Sequence, residues 1–107
     1  MAFKTISAAV LRQKQIGGDK FRLIDVREPI EYETARIEQS ELLPLSDFAA
    51  WRDKLNPDEE IVVMCHHGVR SAHVCRYLSE QGFANVYNLD GGIDAWSTEV
   101  DRRVPRY

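Results

Sequence analysis

Six residues in the middle of the chain limit the possible folds more than any other segment. Glu60-Ile-Val-Val-Met-Cys65 places four apolar residues in an unbroken run that ends in a cysteine. A run without polar alternation is typical of a parallel strand that is covered on both faces. A polar loop, residues 66–69, follows this run, and the pattern then predicts a helix from about Arg70 to Gln81 with Gly82 as its C-cap. A buried strand that leads through a short loop into a helix is the basic unit of an α/β protein.

The remaining segments continue this alternation of strands and helices. We expect further strands at 21–26, 40–45 and 86–89, where β-branched, leucine and aromatic residues concentrate. Capping residues and helix breakers predict four further helices. The first runs from a Ser7 cap to Gly17-Gly18, and the second covers 30–34 after Pro29. The third runs from a Ser46 or Asp47 cap through Leu55, and the fourth covers 93–96. The sequence thus predicts one α/β domain over residues 1–107, with a mostly parallel sheet and a core from about 6 to 97. The polar tail, 98–107, is expected to fray.

Composition excludes several other classes of protein. The chain has 107 residues, 44% of them hydrophobic, and a net charge of -3, so neither nucleic acid nor an anionic membrane is expected as its main partner. Two cysteines are too few for a disulfide scaffold. No apolar run approaches the roughly 20 residues of a membrane span, and the first residues lack the apolar core of a signal peptide. We therefore expect a cytoplasmic protein.

The loop after the central strand carries the residues best suited to chemistry. In open parallel sheets, ligands bind at the carboxyl ends of the strands, which is where Cys65 lies. Gly68 allows the tight turn by which such a loop can aim successive N–H groups inward, backed by the positive end of the next helix. This positive field favours the thiolate, the nucleophilic form of cysteine. Arg70 adds a permanent charge that is able to hold two oxygens of an oxyanion.

Three motifs, taken together, resemble the rhodanese family of sulfurtransferases, particularly its single-domain members. Gly91-Gly92 with Ala95-Trp96 is similar to the family's C-terminal signature, and Leu23-Ile-Asp-Val-Arg-Glu-Pro29 with Glu31-Tyr32 is similar to its N-terminal signature. Cys65-His-His-Gly-Val-Arg70 resembles the active-site loop. The resemblance runs from about Ile6 to Trp96 and implies a rhodanese-like three-layer domain, in which helices flank a mostly parallel central sheet.

The resemblance also implies an activity and a site. Cys65 is the implied catalytic residue, which accepts a sulfane sulfur from thiosulfate or a persulfide donor and passes it to cyanide or a thiol. The implied partners are therefore small molecules, a sulfur-relay protein is left open as a further partner, and the reaction needs no metal or organic cofactor. We expect a monomer or a weak dimer. The implied substrate-binding residues form the rest of the loop: His66, His67, Gly68, Val69, Arg70 and Ser71.

Two stretches depart from the family's pattern. After Tyr32 the family usually has Gly-His-Ile and then Pro-Gly-Ala, whereas this chain reads Ala35-Arg-Ile-Glu-Gln-Ser40, so no role of that histidine is carried over to this chain. The family often has Lys or Arg directly after the catalytic cysteine, where this chain has His66 and His67. Since the charge of histidine varies near neutral pH, we expect this rim to attract dianionic thiosulfate less strongly than a rim of Lys and Arg.

Two other functions share parts of the pattern. Phosphatases and arsenate reductases use a related cysteine loop, but theirs is one residue longer between Cys and Arg, and no upstream Asp is clearly placed here as a general acid. A catalytically weak rhodanese-like binding or regulatory module is the other alternative. Such modules typically lack the cysteine, whereas this chain has Cys65.

Other reactive side chains have structural explanations. The histidines and cysteines between 65 and 75 lie close together, but adjacent ligands strain tetrahedral geometry and the Cys-x-x-Cys pair of common zinc sites is missing. We therefore expect no metal site. Cys75 is expected to pack in the apolar stripe of its helix. Asp25 and Arg27 are expected to form a structural ion pair at the end of their strand.

Overall fold

The computed structural model describes residues 3–107, so the first two residues of the predicted domain lie outside it. Within this range the strands form one sheet in the order β1-β5-β4-β2-β3, and all neighbouring strands are parallel. The most apolar strand, β4, therefore lies at the centre of the sheet, as its continuous run predicts. The strands are β1 (Lys4–Ile6), β2 (Arg22–Asp25), β3 (Glu41–Leu42), β4 (Ile61–Met64) and β5 (Val86–Leu89).

Helices cover both faces of the sheet and give the three-layer α/β architecture that was expected. Val62 and Met64 of β4 lie in the apolar cluster under α1 and α5, whereas Ile61 and Val63 lie in the cluster under α3 and α4. This alternation follows from the period of two residues in a strand, and it explains why every residue of β4 is apolar. The helices are α1 (Ala8–Ile16), α2 (Pro29–Thr34), α3 (Phe48–Trp51), α4 (Val69–Glu80) and α5 (Gly92–Glu99), and short 3₁₀ turns, Leu45–Asp47 and Arg52–Lys54, flank α3.

The caps confirm two of the predicted helices. The Ser7 side chain accepts a hydrogen bond from the Val10 amide at the start of α1, and that helix ends at the two glycines, of which Gly18 has a φ of 72°. The long helix α4 ends before Gly82, whose φ is 94°. Glycine adopts this left-handed conformation at little cost, so both helices end where the sequence predicts.

The edges of the sheet and the segment after β3 differ from the prediction. The sequence did not predict β1, in which Ile6 is the only buried residue. The predicted strand at 40–45 is reduced to Glu41–Leu42, and the predicted helix through Leu55 is divided into α3 and its two 3₁₀ turns. Edge strands pair on one side only and are often short, so their apolar pattern is weak.

The tail also differs from the prediction. The last helix, α5, extends to Glu99, so residues 98 and 99 of the predicted tail are helical, and the end of the tail lies against the domain. Its end is held because the guanidinium of Arg27 donates a 2.8 Å hydrogen bond to the hydroxyl of Tyr107. Among residues 3–107, no helix is long and apolar enough to cross a membrane.

Candidate active site

The thiol of Cys65 lies among hydrogen-bond donors just beyond β4. Its sulfur accepts hydrogen bonds from the Gly68 amide at 3.1 Å and the Ser71 amide at 3.4 Å, and the Ser71 hydroxyl oxygen lies 3.4 Å from it. The residue is 1% exposed. The arrangement therefore places the sulfur, shielded from water, at the amino end of α4, where free N–H groups and the helix dipole favour a negative charge.

Gly68 gives the loop its shape, as the sequence predicts. Its φ is 101°, and an added Cβ would lie 3.3 Å from the Leu89 carbonyl oxygen. A side chain at this position would therefore be strained by the backbone conformation and crowded by β5. Because Gly68 is also the N-cap of α4, the turn that it makes directs its own amide and that of Ser71 toward the sulfur.

Asn88 of β5 braces this turn and was not predicted as a site residue. Its side-chain amide donates a 3.1 Å hydrogen bond to the Gly68 carbonyl, and its side-chain oxygen accepts a 2.5 Å bond from the Ser71 hydroxyl. Ser71 is fully buried and Asn88 nearly so. A polar residue in an otherwise buried strand needs a partner, and this was the signal in the sequence that could have identified Asn88.

Arg70 is paired with Glu31 of α2. The guanidinium donates two parallel hydrogen bonds to the carboxylate, at 2.7 and 2.9 Å. This contact lowers the pKa of the Glu31 carboxyl to about 2 and raises the pKa of Arg70. Arg70 thus has its partner within the protein. The geometry of Arg70 fits a residue that fixes the loop better than it fits a residue that binds an oxyanion.

The two histidines after the cysteine lie at the rim. The rings of His66 and His67 stack with their centroids 4.0 Å apart, and the ring of Tyr107 stacks on the other side of His66, also at 4.0 Å. Burial lowers the pKa of His66, and the neighbouring His67 lowers it further. The side chain of Val69 also points outward and is exposed. None of these three loop side chains, nor that of Arg70, donates a hydrogen bond to the sulfur in the described part of the chain.

The amino end of α5 holds the loop from the side. The amides of Ile93 and Asp94 donate hydrogen bonds of 2.9 and 3.1 Å to the carbonyls of Cys65 and His66. Gly92 lies so close to these carbonyls that it leaves no room for a side chain. Gly91, the N-cap of α5, and Gly92, its first residue, therefore border the site.

Two groups that the sequence assigned to structure are buried as expected. Asp25 and Arg27 form an ion pair of 2.7 Å in which both side chains are fully buried, and the Ala35 carbonyl accepts another bond from Arg27. Cys75 packs in the cluster under α4, and its burial raises the pKa of its thiol to about 12. A thiol with such a pKa is protonated at neutral pH and is a poor nucleophile.

One group within residues 3–107 has the composition of a metal site. Ligand atoms of His66, His67 and Asp94 lie within 4.8 Å of one another. However, Asp94 is already bound by Arg106 at 2.9 Å, and the two imidazoles stack face to face. Because imidazole binds a metal through a lone pair in its ring plane, stacked rings do not converge well on one ion. These residues do not fit a metal centre.

A groove of about 520 Å³ near the tail does not include the thiol. It lies between α1, the 35–39 segment and the tail. Its three arginines, Arg12, Arg36 and Arg103, are matched in number by three acidic residues. The groove therefore has no excess charge with which to select an ion, and Cys65 is the better candidate for chemistry.

The comparison with known families agrees with this geometry. A model described as the rhodanese-like domain matches residues 7–99. The chain belongs to the rhodanese-like family. This match confirms the family resemblance seen in the sequence.

Curated relatives of this rhodanese-like domain include proteins of similar length. "Putative sulfurtransferase YtwF" of Bacillus subtilis is 40% identical over 100 residues, covering 94% of this chain and 96% of the relative. "Thiosulfate sulfurtransferase GlpE" of Pseudoalteromonas translucida is 35% identical over 106 residues, covering 99% and 100%. The Arabidopsis thaliana "Rhodanese-like/PpiC domain-containing protein 12, chloroplastic" is 44% identical over 83% of this chain, which spans only 31% of that protein.

A solved structure shows the same architecture. A rhodanese-related protein from Thermoplasma volcanium has a TM-score of 0.81 and 33% sequence identity, and the match covers 92% of this chain and 94% of that one.

Proposed function

We propose that this rhodanese-like domain transfers a sulfane sulfur through a persulfide on Cys65. The donor is thiosulfate or a persulfide, and the acceptor is cyanide or a thiol. The observation that carries this proposal is the convergence of the Gly68 and Ser71 amides on the Cys65 sulfur. Relatives that are named as sulfurtransferases support the same class of reaction.

The first half of the reaction loads the cysteine. The thiolate of Cys65 attacks the outer sulfur of thiosulfate, so a sulfur–sulfur bond forms at the cysteine. The bond between the two sulfurs of thiosulfate breaks, and sulfite leaves with the electron pair. The cysteine now carries a persulfide with one negative charge on its outer sulfur, and no external oxidant or reductant is required.

The second half of the reaction transfers the sulfur from Cys65 to the acceptor. Cyanide or an acceptor thiolate attacks the outer sulfur of the persulfide and forms a new bond to it. The bond to Cys65 breaks, and its electron pair returns to the cysteine as thiolate. The same thiol therefore begins and ends each cycle, and a second, resolving cysteine is not needed.

The loop stabilises the negative charge at both stages. The donors from Gly68 and Ser71 are fixed by backbone geometry and by Asn88, so they do not have to reorganise when charge develops. The amino end of α4 adds a positive field along the same direction. We assign Arg70 the role of a positioning residue, because its guanidinium is held by Glu31.

The proposed cellular location and partners follow from the chemistry of the catalytic thiol. Both cysteines are free, and a catalytic thiol requires a compartment that keeps it reduced. We therefore propose a cytoplasmic location and small-molecule donors and acceptors, with a sulfur-relay protein as a further candidate acceptor.

Mass spectrometry of the intact protein tests the persulfide directly. After incubation with thiosulfate or a persulfide donor, and removal of the excess, one added sulfur atom is expected and should map to the peptide with Cys65. Cys65→Ser should gain no sulfur. Cys75→Ser is the matched control, since it removes the other thiol from a buried position that the reaction does not use.

Steady-state assays with the same variants separate the alternatives. Thiocyanate formation from thiosulfate and cyanide should disappear in Cys65→Ser and persist in Cys75→Ser. Full activity in Cys65→Ser would overturn the assignment of the nucleophile. Hydrolysis of an aryl phosphate without persulfide formation would favour a phosphatase, and a folded protein that neither gains sulfur nor hydrolyses phosphate would favour a binding module.

A further inference from the structure

The aromatic ring of Tyr107 lies against the rim of the Cys65 loop. It stacks on the ring of His66 with an interplanar angle of 11°, and His66 in turn stacks on His67 at 17°. The three rings form one continuous column. Stacked rings attract each other, which favours one position of the tail over a free one.

The hydroxyl of Tyr107 is also held, by two hydrogen bonds. Arg27 donates a 2.8 Å hydrogen bond to it, and the hydroxyl itself donates a 2.8 Å bond to the carboxylate of Glu31. Arg27 is fully buried, so its contact anchors Tyr107 to the rigid interior. Glu31 also binds Arg70, so Tyr107 is linked to the last residue of the loop through one carboxylate.

These contacts place Tyr107 across the loop. Its ring contacts the residue directly after Cys65, and its hydroxyl reaches the carboxylate that holds Arg70. Cys65 is 1% exposed, while Tyr107 itself is 43% exposed. A second link, Arg106 to Asp94 at 2.9 Å, holds the same end of the tail against α5.

We propose that Tyr107 closes one side of the entrance to Cys65 and sets the size of the molecules that exchange sulfur with it. The inference rests on the proposed function, because it concerns access to the same thiol. With Tyr107 in place, a small linear anion such as cyanide reaches the sulfur more readily than a branched thiol. A bulky thiol requires the ring to leave His66 and the hydroxyl to leave Arg27 and Glu31.

The test compares a small acceptor with a large one on the same loaded protein. Persulfide-loaded protein is mixed with cyanide or with glutathione, and loss of the added sulfur is followed by mass spectrometry. In Tyr107→Ala the rate with glutathione, divided by the rate with cyanide, should rise about tenfold, which corresponds to an opening cost of about 1.4 kcal/mol. Tyr107→Phe keeps the ring and loses both hydrogen bonds of the hydroxyl, so its ratio should lie between those of the other two proteins.

Arg103→Ala is the matched control for the tail. Arg103 lies in the same segment, but its side chain bonds Asp101 and does not contact the loop in the described structure. Its ratio should equal that of the wild type. An unchanged ratio in Tyr107→Ala, or an equal rise in Arg103→Ala, would refute the proposal.

Alkylation separates failure of this inference from failure of the proposed function. In a Cys75→Ser background, Cys65 is treated with iodoacetamide or with a bulky aryl maleimide, neither of which requires sulfur transfer. Tyr107→Ala should accelerate the maleimide reaction more than the iodoacetamide reaction. If no variant gains sulfur but this difference appears, the entrance is as inferred and the function is wrong. If all variants gain sulfur but neither assay discriminates by size, the function stands and the role of Tyr107 is wrong.

Discussion

Replacing Gly92 by alanine should separate α5 from the Cys65 loop. Gly92 has a φ of 58°, and an added Cβ would lie 2.4 Å from the carbonyl oxygen of Cys65 and 2.5 Å from that of His66. Both obstacles are backbone atoms, so no side-chain rotation relieves the contact. Either the amino end of α5 or the loop has to move, and the hydrogen bonds from the amides of Ile93 and Asp94 to these two carbonyls are then lost.

The size of the effect follows from these contacts. A non-glycine residue in the left-handed region costs about 1–2 kcal/mol. Each lost backbone hydrogen bond costs about 0.5–1.5 kcal/mol, so two add about 1–3 kcal/mol. Gly92→Ala should therefore lower the free energy of unfolding by about 2–5 kcal/mol, a large fraction of the 5–15 kcal/mol typical of a domain of this size.

Gly82→Ala is the matched control, because the two glycines share a conformation and differ in their surroundings. Gly82 has a φ of 94°, but an added Cβ there meets no atom within 4 Å. Its variant should lose only the conformational part, about 1–2 kcal/mol. The difference between the two variants thus isolates the close approach of α5 to the loop.

Urea denaturation of the three proteins measures both values. Where Gly92→Ala is still folded, the rate of persulfide formation on Cys65 should also fall, whereas Gly82→Ala should keep the wild-type rate. Equal destabilisation of the two variants would contradict the steric argument. A folded Gly92→Ala protein with the wild-type rate would show that α5 does not position the loop.

Three further predictions concern residues around the thiol. Asn88→Ala removes the brace of Ser71, and since two hydrogen bonds of about 1 kcal/mol each are lost, persulfide formation should slow about tenfold or more while the circular dichroism spectrum is unchanged. In the wild type, bonding to Arg70 lowers the pKa of the Glu31 carboxyl to about 2, so this group stabilises the fold above about pH 4.5 and the stabilisation is lost as the pH falls through about 2. Glu31→Gln should remove this stabilisation, so the urea midpoints of the two proteins should converge near pH 2. Cys75→Ser should leave the rate of sulfur transfer to thiols unchanged in steady-state assays, and a large loss would make this cysteine a resolving thiol.

The centre of the fold was predictable because its signals are local. The apolar run before Cys65, the turn at Gly68 and the helix after it are neighbours in sequence, so pattern and cap identify them together. The parallel arrangement then places the carboxyl ends of the strands at one edge, which predicts where the site lies. The Asp25–Arg27 ion pair was predictable for the same reason, since Asp25 ends a buried strand and Arg27 follows two residues later.

The missed features depend on contacts between distant parts of the chain. β1 pairs with β5, where Ile6 is opposite Leu89, and its own three residues carry almost no apolar pattern. The stacking of Tyr107 on His66 and its bond to Glu31 likewise arise only once the tail has folded back. The sequence of a polar tail does not show whether its last hydroxyl binds a buried arginine.

The charges around the loop support the proposed transfer of a sulfur rather than of a phosphate group. Arg70, Arg27 and Arg106 are each paired with a carboxylate, at 2.7, 2.7 and 2.9 Å. A phosphate dianion is usually held by a guanidinium that offers it two parallel hydrogen bonds, which Arg70 gives to Glu31 instead. The donors that do face the thiol are the amides of Gly68 and Ser71, at 3.1 and 3.4 Å from its sulfur. Freeing Arg70 would therefore add charge where the proposed persulfide does not need it, and it would loosen the loop that holds the donors in place.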